Sequence, residues 1–490
     1  MVIQNRQISI FALLAIGYCA ILGLQGCSKT ELEPRHNILL VTIDTLRADH
    51  LSSYGYPRTT SPAIDRLAAE GVRFELPIVQ WPKTAPSFAS IFTATYPKDN
   101  GIVRKVGEQL PYEFKMLAEV LADHGYATRA VVANGAVASE FHFNQGFDDY
   151  IESWKLAPPS ENVQNTSAEM ITELAKTLMG NHDSDKPYFL WVHYLDPHFP
   201  YQAPQPWTDR FQGDESYDGS VKIDISRDRP KRQMTGIGFK QELGGSDELA
   251  FYVARYDAEI SYVDAQIGAL LDHLGSQGLL ERTLTVVSSD HGESLGDHNY
   301  FFDHGRFGFQ PGLRVPLIFN YPGVIDPRVE TGAVELINLA PTLLEAAGVT
   351  LEEHRWMQGH SLWPLLIGDE SASKRRPIAF SEAGYAVERK WQRIVLDGRF
   401  KLIYARAVPE QRWIAGKDKP FALYDLRDDP SETTNVYDQH PTEAERLTRI
   451  LHQAWQAPTF DVLVDTSGAG ERKEMDEETR EQLEALGYLD

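Results

Sequence analysis

Ile38-Leu39-Leu40-Val41-Thr42-Ile43-Asp44 is an unbroken aliphatic and β-branched run that closes on a carboxylate. Apolar character without alternation, over strand length, marks a parallel strand buried on both faces. Asp44 then falls at the strand's C-terminal end, where an aspartate is commonly a turn former. Its meaning depends on what else reaches the same edge. Thr128 to Val132, Tyr188 to His193, Leu284 to Ser288 and Val315 to Phe319 also read as strands. Helical patterns lie between them: a Ser-capped start at Ser61-Pro62, a helix around Phe114 to His124, another at Ala168 to Met179, and a long one in which Tyr256, Ile260, Val263, Ile267, Leu270, Leu271 and Leu274 share a face. This alternation predicts an α/β fold with a central, mostly parallel sheet flanked by helices.

Beyond about residue 371 the character changes. Trp391 to Leu396, Arg399 to Tyr404 and Ala422 to Asp425 read as strands separated by turns, a small C-terminal antiparallel sheet subdomain. The expected division is residues 1–27 as a targeting segment, 36–370 as the main domain, 371–460 as the small subdomain and 461–490 as a charged helical tail. Pro204 to Asp247, polar and without periodicity, reads as a disordered segment or a lid over a site.

Residues 1–27 combine a basic Arg6, an apolar stretch from Ile8 to Leu24, and Leu24-Gln25-Gly26-Cys27. The pattern resembles a bacterial lipoprotein signal, cut before Cys27, which is then lipidated; an uncleaved anchor is the alternative. Either places the remainder in the cell envelope, facing the periplasm or the outside. Cys19 and Cys27 are the chain's two cysteines, so the mature domain offers no thiolate ligand, no disulfide and no cysteine nucleophile. A net charge of -23 argues against nucleic acid as a partner. An anionic substrate then calls for a locally positive pocket, most simply a metal.

Pro82-Lys83-Thr84-Ala85-Pro86-Ser87-Phe88-Ala89-Ser90 reads as a turn entering a helix, with Pro86 and Ser87 as start residues and Thr84 just ahead of the N-terminus. There the macrodipole and free N–H groups favour an anion, and a hydroxyl can be held as an alkoxide. An isolated Thr-x-Pro-Ser is ordinarily a cap. Here Asp44, the stretch His193 to His198 and Asp290-His291 all follow predicted strands, and strand C-termini form the ligand crevice of open α/β sheets. Two carboxylates, an imidazole and a hydroxyl suit a divalent cation with mixed nitrogen and oxygen preference.

Taken together, Asp44-Thr45-Leu46-Arg47-Ala48-Asp49-His50-Leu51, Ser61 to Ala68, Thr84 to Ser90, His193-Tyr194-Leu195-Asp196-Pro197-His198, Ser289 to His298, Asp303-His304-Gly305, Arg314-Val315-Pro316-Leu317 and Leu423-Tyr424-Asp425-Leu426 resemble the sulfatase family of the alkaline-phosphatase superfamily in order and spacing. The resemblance implies an alkaline-phosphatase-like fold, Asp44, Thr84, Asp290 and His291 around one divalent ion (calcium, manganese or zinc), and Thr84 as nucleophile. It also implies His198 beside the leaving group and His304 at the anionic group. Lys83, Arg47 and His193 are the candidates for holding substrate. A second ion would draw on Asp196, His198, His298 and His304, and a single ion is expected. The chain departs from the family at two places: Thr84 stands where Cys or Ser is oxidised to formylglycine, and Phe88 replaces the motif arginine. No formylglycine is expected. A covalent threonine ester must be cleared by water attack, which suits phosphate mono- or diesters better than sulfate. The expected function is hydrolysis of such esters on a small-molecule, glycan or lipid alcohol. The alternatives are an envelope phospho-group transferase and an inactive binding protein.

Overall fold

The computed structural model describes residues 36–104, 106–156, 167–180, 186–213, 221–223, 243–244, 246–369, 378–385, 390–405, 420–455 and 475–489. The targeting segment, most of Pro204 to Asp247 and the start of the tail lie outside the described residues.

The strands, in chain order, are β1 (Asn37–Ile43), β2 (Val72–Ile78), β3 (Ala127–Val132), β4 (Asp149–Glu152), β5 (Tyr188–Tyr194), β6 (Thr283–Ser289), β7 (Ser294–Leu295), β8 (Phe301–Asp303), β9 (Leu317–Asn320), β10 (Arg328–Glu335), β11 (Ala379–Tyr385), β12 (Lys390–Leu396), β13 (Phe400–Ala405) and β14 (Phe421–Asp425). β1 is buried along its whole length and pairs in parallel with β5 on one side and β6 on the other. It lies inside an 8-stranded sheet of order β10-β2-β9-β6-β1-β5-β3-β4. Only β9 runs against the rest. The sheet is mostly parallel, as the aliphatic runs predict.

Alternate side chains of β1 enter opposite layers. Ile38 and Leu40 pack with Phe88, Leu117, Trp191 and Leu339, under the helices Thr84–Thr93, Leu117–Asp123 and Leu339–Ala346. Leu39, Val41 and Ile43 pack with Ile64, Ile171, Tyr256 and Ile260, under Pro62–Ala69, Ala168–Gly180 and Leu249–Ser276. Every parallel strand therefore ends at one edge of the sheet; His193 lies at the end of β5 there, and the loops leaving that edge carry Asp44, Asp290 and the helix of Thr84.

β11 to β14 form the second, 4-stranded antiparallel sheet. The helix Pro441–Ala454 covers one face through Leu447 and Leu451 against Val395, Leu402 and Leu423. Ile394, Ile403 and Ala422 from the other face join the main core. The antiparallel expectation holds for this sheet.

Some elements differ from expectation. The helix that carries Thr84 begins at Thr84 itself, because Lys83 is extended (φ -149, ψ 143) and its carbonyl accepts from Ser87 N at 3.0 Å. Pro86 is then the third helical residue, where a missing N–H is harmless. Asp149–Glu152 forms β4, a short strand absent from the runs read as strands in the sequence. The charged helical tail is helical over Glu477–Ala485, as expected, and differs only in being docked, with Leu483 and Leu486 buried.

Candidate active site

Three loops and one helix start converge at the sheet's C-terminal edge. After Asp44 the chain turns sharply at Thr45, whose φ of 54 is unusual for a β-branched residue. The turn is clamped on both sides: the Tyr256 hydroxyl donates to Thr45 O (2.8 Å) and accepts from Arg47 N (2.9 Å). The loop after β6 is drawn in by Ser87 Oγ, donating to Asp290 O at 2.6 Å, and by Thr45 N, donating to Asp290 Oδ1 at 3.3 Å. Gly292 permits this closeness, since a Cβ there would lie 1.9 Å from Pro311 O.

Asp44, Asp290 and His291 are fully buried, and one ligand atom from each lies within 4.8 Å of the others. His291 Nδ1 sits 2.9 Å from Gly292 O, a contact that requires a proton on Nδ1 and leaves Nε2 as a lone pair. That lone pair faces Asp290 Oδ2 at 3.2 Å and Asp44 Oδ1 at 3.9 Å. Neither carboxylate oxygen accepts a hydrogen bond among the described residues. Three electron-rich atoms turned toward one another in a dry interior repel, unless a cation lies among them. The donors therefore fit a metal ion with mixed nitrogen and oxygen preference. Burial, then the charge of Asp44, pushes the Asp290 carboxyl well up, and burial, then His304, pushes His291 well down. Burial also acts to raise Asp44, but His198, His193 and His291 more than offset it and the net direction is down.

Thr84 Oγ1 reaches this cluster, 3.2 Å from His291 Nε2. Around it stand His304, its ring 4.3 Å from that of His291, and His198, 5.4 Å from His304. Glu293 Oε1 lies 3.4 Å from His304 Nδ1. The Lys83 side chain is buried beside Gly305, with Nζ donating to Gly384 O at 2.7 Å.

Two expected substrate contacts face elsewhere. The Arg47 guanidinium spans Asp49 (2.8 Å), Asp297 (2.6 Å) and Glu293 O (3.2 Å), tying the β1 loop to the β6 loop. His193 lies beneath the site, between Thr42 Oγ1 (3.1 Å) and Asp44 Oδ2 (3.7 Å), with Phe88 against its ring. The candidates for a second ion do not gather around a common point. Asp196 lines a pocket with Glu259 and is raised to about 6 by burial, while His298 stacks on Phe309.

Sequence reasoning missed two residues. Asn134, on the loop after β3, donates to Asp44 Oδ2 at 2.6 Å and to the Tyr488 hydroxyl at 3.0 Å. Tyr488, two residues from the chain end, places that hydroxyl 2.9 Å from Thr84 Oγ1 and stacks its ring on His198 at 14°. The Leu486-Gly487-Tyr488 ending was the available signal for a helix stop that turns a side chain inward.

The α/β sheet, the acidic and imidazole triad and the helix-borne hydroxyl beside it, together with the family matches that follow, make the protein a hydrolase of sulfuric or phosphoric esters. The family model for sulfatases matches residues 36–349, and that for the N-sulphoglucosamine sulphohydrolase C-terminal region matches residues 296–457. The chain belongs to the sulfatase family. It is 28% identical over 393 residues to a choline-sulfatase of Rhizobium meliloti, covering 77% of this chain and 67% of that one. An N-acetylglucosamine-6-O-sulfatase of Bacteroides thetaiotaomicron is 24% identical, with 89% of both chains covered. Among solved structures, an enzyme in complex with its substrate D-glucosamine-2-N,6-O-disulfate superposes with a TM-score of 0.68 at 20% identity, over 87% of this chain and 98% of that one. A phosphonate monoester hydrolase of Agrobacterium radiobacter superposes with a TM-score of 0.65 at 22% identity, over 86% and 95%.

Proposed function

We propose that the protein hydrolyses an anionic ester by two displacements through a covalent Thr84 intermediate, with phosphate mono- and diesters favoured over sulfate esters. The observation that carries this reading is Thr84 Oγ1 at 3.2 Å from His291 Nε2, inside the triad and at the start of a helix. A single divalent cation held by Asp44, Asp290, His291 and Thr84 would supply Lewis-acid assistance and neutralise charge on the transferring group.

Thr84 gives its proton to water, and Oγ1 forms a bond to phosphorus or sulfur as the bond to the leaving oxygen breaks. The leaving oxygen takes a proton from His198, while His304, oriented by Glu293, donates to a non-bridging oxygen. Water then attacks the central atom and gives a proton to His198 as the bond to Thr84 Oγ1 breaks, and Oγ1 takes a proton back from solvent. Threonine has no carbonyl form to collapse to, so this second attack is obligatory. That requirement is what favours phosphorus, which accepts water more readily than a sulfate ester does. Lys83, buried beside Gly305 with Nζ on Gly384 O, is assigned to hold a substrate oxygen, whereas Arg47 and His193 brace the loops that present Asp44.

We further assign the chain to the cell envelope, tethered through lipidated Cys27, with residues 36–370 as the catalytic domain and 371–460 as the subdomain that walls it. The test is turnover of para-nitrophenyl phosphate, bis-para-nitrophenyl phosphate and para-nitrophenyl sulfate with calcium, manganese and zinc in turn. Thr84→Ala is expected to lower kcat at least about a thousandfold, and a quenched reaction should leave a mass increment on the Thr84 peptide. Full activity in Thr84→Ala overturns the reading.

A further inference from the structure

We propose that the C-terminal segment completes the active site, with Tyr488 as a catalytic residue whose hydroxyl donates to the nucleophilic oxygen of Thr84. The proposal rests on the nucleophile assignment above and goes beyond it.

The local chemistry comes first. Thr84 Oγ1 has two polar neighbours besides the cation donors' carboxylates: His291 Nε2 at 3.2 Å and Tyr488 Oη at 2.9 Å. His291 presents a lone pair, since its Nδ1 proton is committed to Gly292 O. His291 Nε2 therefore gives Thr84 Oγ1 no proton, and Oγ1 accepts from Tyr488. Asn134 sets the same direction from the other end. Its Nδ2 can only donate, and it lies 3.0 Å from Tyr488 Oη and 2.6 Å from Asp44 Oδ2. An oxygen already accepting from Asn134 is left with its own proton for Thr84. When Thr84 ionises, the same contact becomes a charge-assisted hydrogen bond to an alkoxide, about twice as strong as its neutral counterpart. Phe88, one turn along the helix, is apolar and packed on Trp191 and His193, so it supplies no such donor.

The second line is how Tyr488 is delivered. The helix Glu477–Ala485 ends in a Schellman motif: Gly487 is left-handed (φ 75), its N–H bonds to Glu484 O at 3.1 Å, and Tyr488 N–H bonds back to Leu483 O at 2.8 Å. The helix is pinned to the domain along its length. Lys155 pairs with Asp476 at 2.6 Å, Trp154 Nε1 donates to Thr479 Oγ1 at 3.2 Å, and Gln482 Nε2 donates to Ala133 O at 2.7 Å, one residue from Asn134. Leu483 and Leu486 are buried. A flap built to swing open has few buried apolar contacts. This segment is fastened as a wall, which favours a permanent catalytic part over a plug.

Tyr488→Phe keeps the ring, its stack on His198 and the helix end, and removes only the hydroxyl. With para-nitrophenyl phosphate as probe, kcat is expected to fall about 10- to 100-fold, with KM changing less than about threefold, and the melting temperature to stay within about a degree of the parent. Orthovanadate, which mimics the transferring group at its transition state, is expected to inhibit the variant at least about tenfold more weakly. Tyr488→Ala serves as the second variant. Equal or greater kcat/KM in both, or tighter vanadate inhibition, overturns the proposal and makes the tail a plug. A parent enzyme that neither turns over an ester nor binds vanadate overturns the ester-hydrolase reading itself, and this proposal with it.

Discussion

Asp290 is held in two conflicting roles. Its backbone and Oδ1 are fixed by Ser87 and Thr45, and Oδ2 is turned toward Asp44 and a histidine lone pair. The burial and neighbouring charge that push its carboxyl up make the folded, metal-free protein bind a proton more tightly there than the unfolded chain does. Such a group lowers stability once pH exceeds its unfolded value near 4, and the penalty grows as pH climbs toward the folded value. Asp290→Asn removes that penalty together with a ligand. In EDTA the variant is expected to melt on the order of one to three degrees above the parent at pH 8, with a smaller gap at pH 5, while losing the parent's metal-induced rise; calorimetry with and without metal reads all three. The carboxylates and His291 were legible because each follows an apolar strand run. Asn134 was not, because an asparagine after a strand reads as an ordinary turn residue. For Arg47 and His193, adjacency to a motif in sequence did not show which way the side chain faces: Arg47 joins Asp49 and Asp297, and His193 lies between Thr42 and Asp44.

At the scale of elements, the buried strands were legible and the edges were not. β1, β5 and β6 are buried along their whole length, β1 aliphatic, β5 rich in aromatic residues and β6 in β-branched ones, whereas β10 reads Arg-Val-Glu-Thr-Gly-Ala-Val-Glu at the sheet margin, and β2, its inner neighbour, contains Pro77, which counts against a strand assignment. Only tertiary pairing makes strands of these. The small sheet shows a similar dependence on context. Lys401 on β13 forms a fully buried pair with Glu432 at 2.6 Å, and Glu432 in turn accepts from Gln310 N at 2.6 Å. One buried ion pair thereby ties the C-terminal sheet to the loop that follows His304. Lys401→Met leaves Glu432 buried and uncompensated, and is expected to destabilise by about 3–5 kcal/mol. The double variant Lys401→Met with Glu432→Leu is expected to recover much of that loss, as read by urea denaturation midpoints at constant slope. An equal loss in both would show that packing volume, not charge, holds the joint.

For the whole molecule, the decisive quantity is charge. The chain carries -23, yet its substrate class is anionic, so approach from solution is opposed over the range at which individual surface charges merge into a field. Within the proposed site the balance would be reversed by short-range features: the start of the Thr84 helix, the Lys83 ammonium and the divalent cation that the triad would hold. These act over a few ångströms and are little screened once a substrate is bound. The repulsion acts farther out, where the Debye length shrinks from about 30 Å at 0.01 M salt to about 8 Å at 0.15 M. Salt should therefore help this enzyme, the reverse of its effect on an electrostatically steered one. Between those two ionic strengths kcat/KM for para-nitrophenyl phosphate is expected to rise about two- to fivefold, with kcat nearly constant, because screening assists encounter and leaves the bound complex alone. A neutral cosolute matched for osmolarity separates the effect from crowding and viscosity. If kcat/KM instead falls with salt, a positive field must surround the entrance despite the overall charge, and the acidic residues must be concentrated on the faces away from the sheet's C-terminal edge.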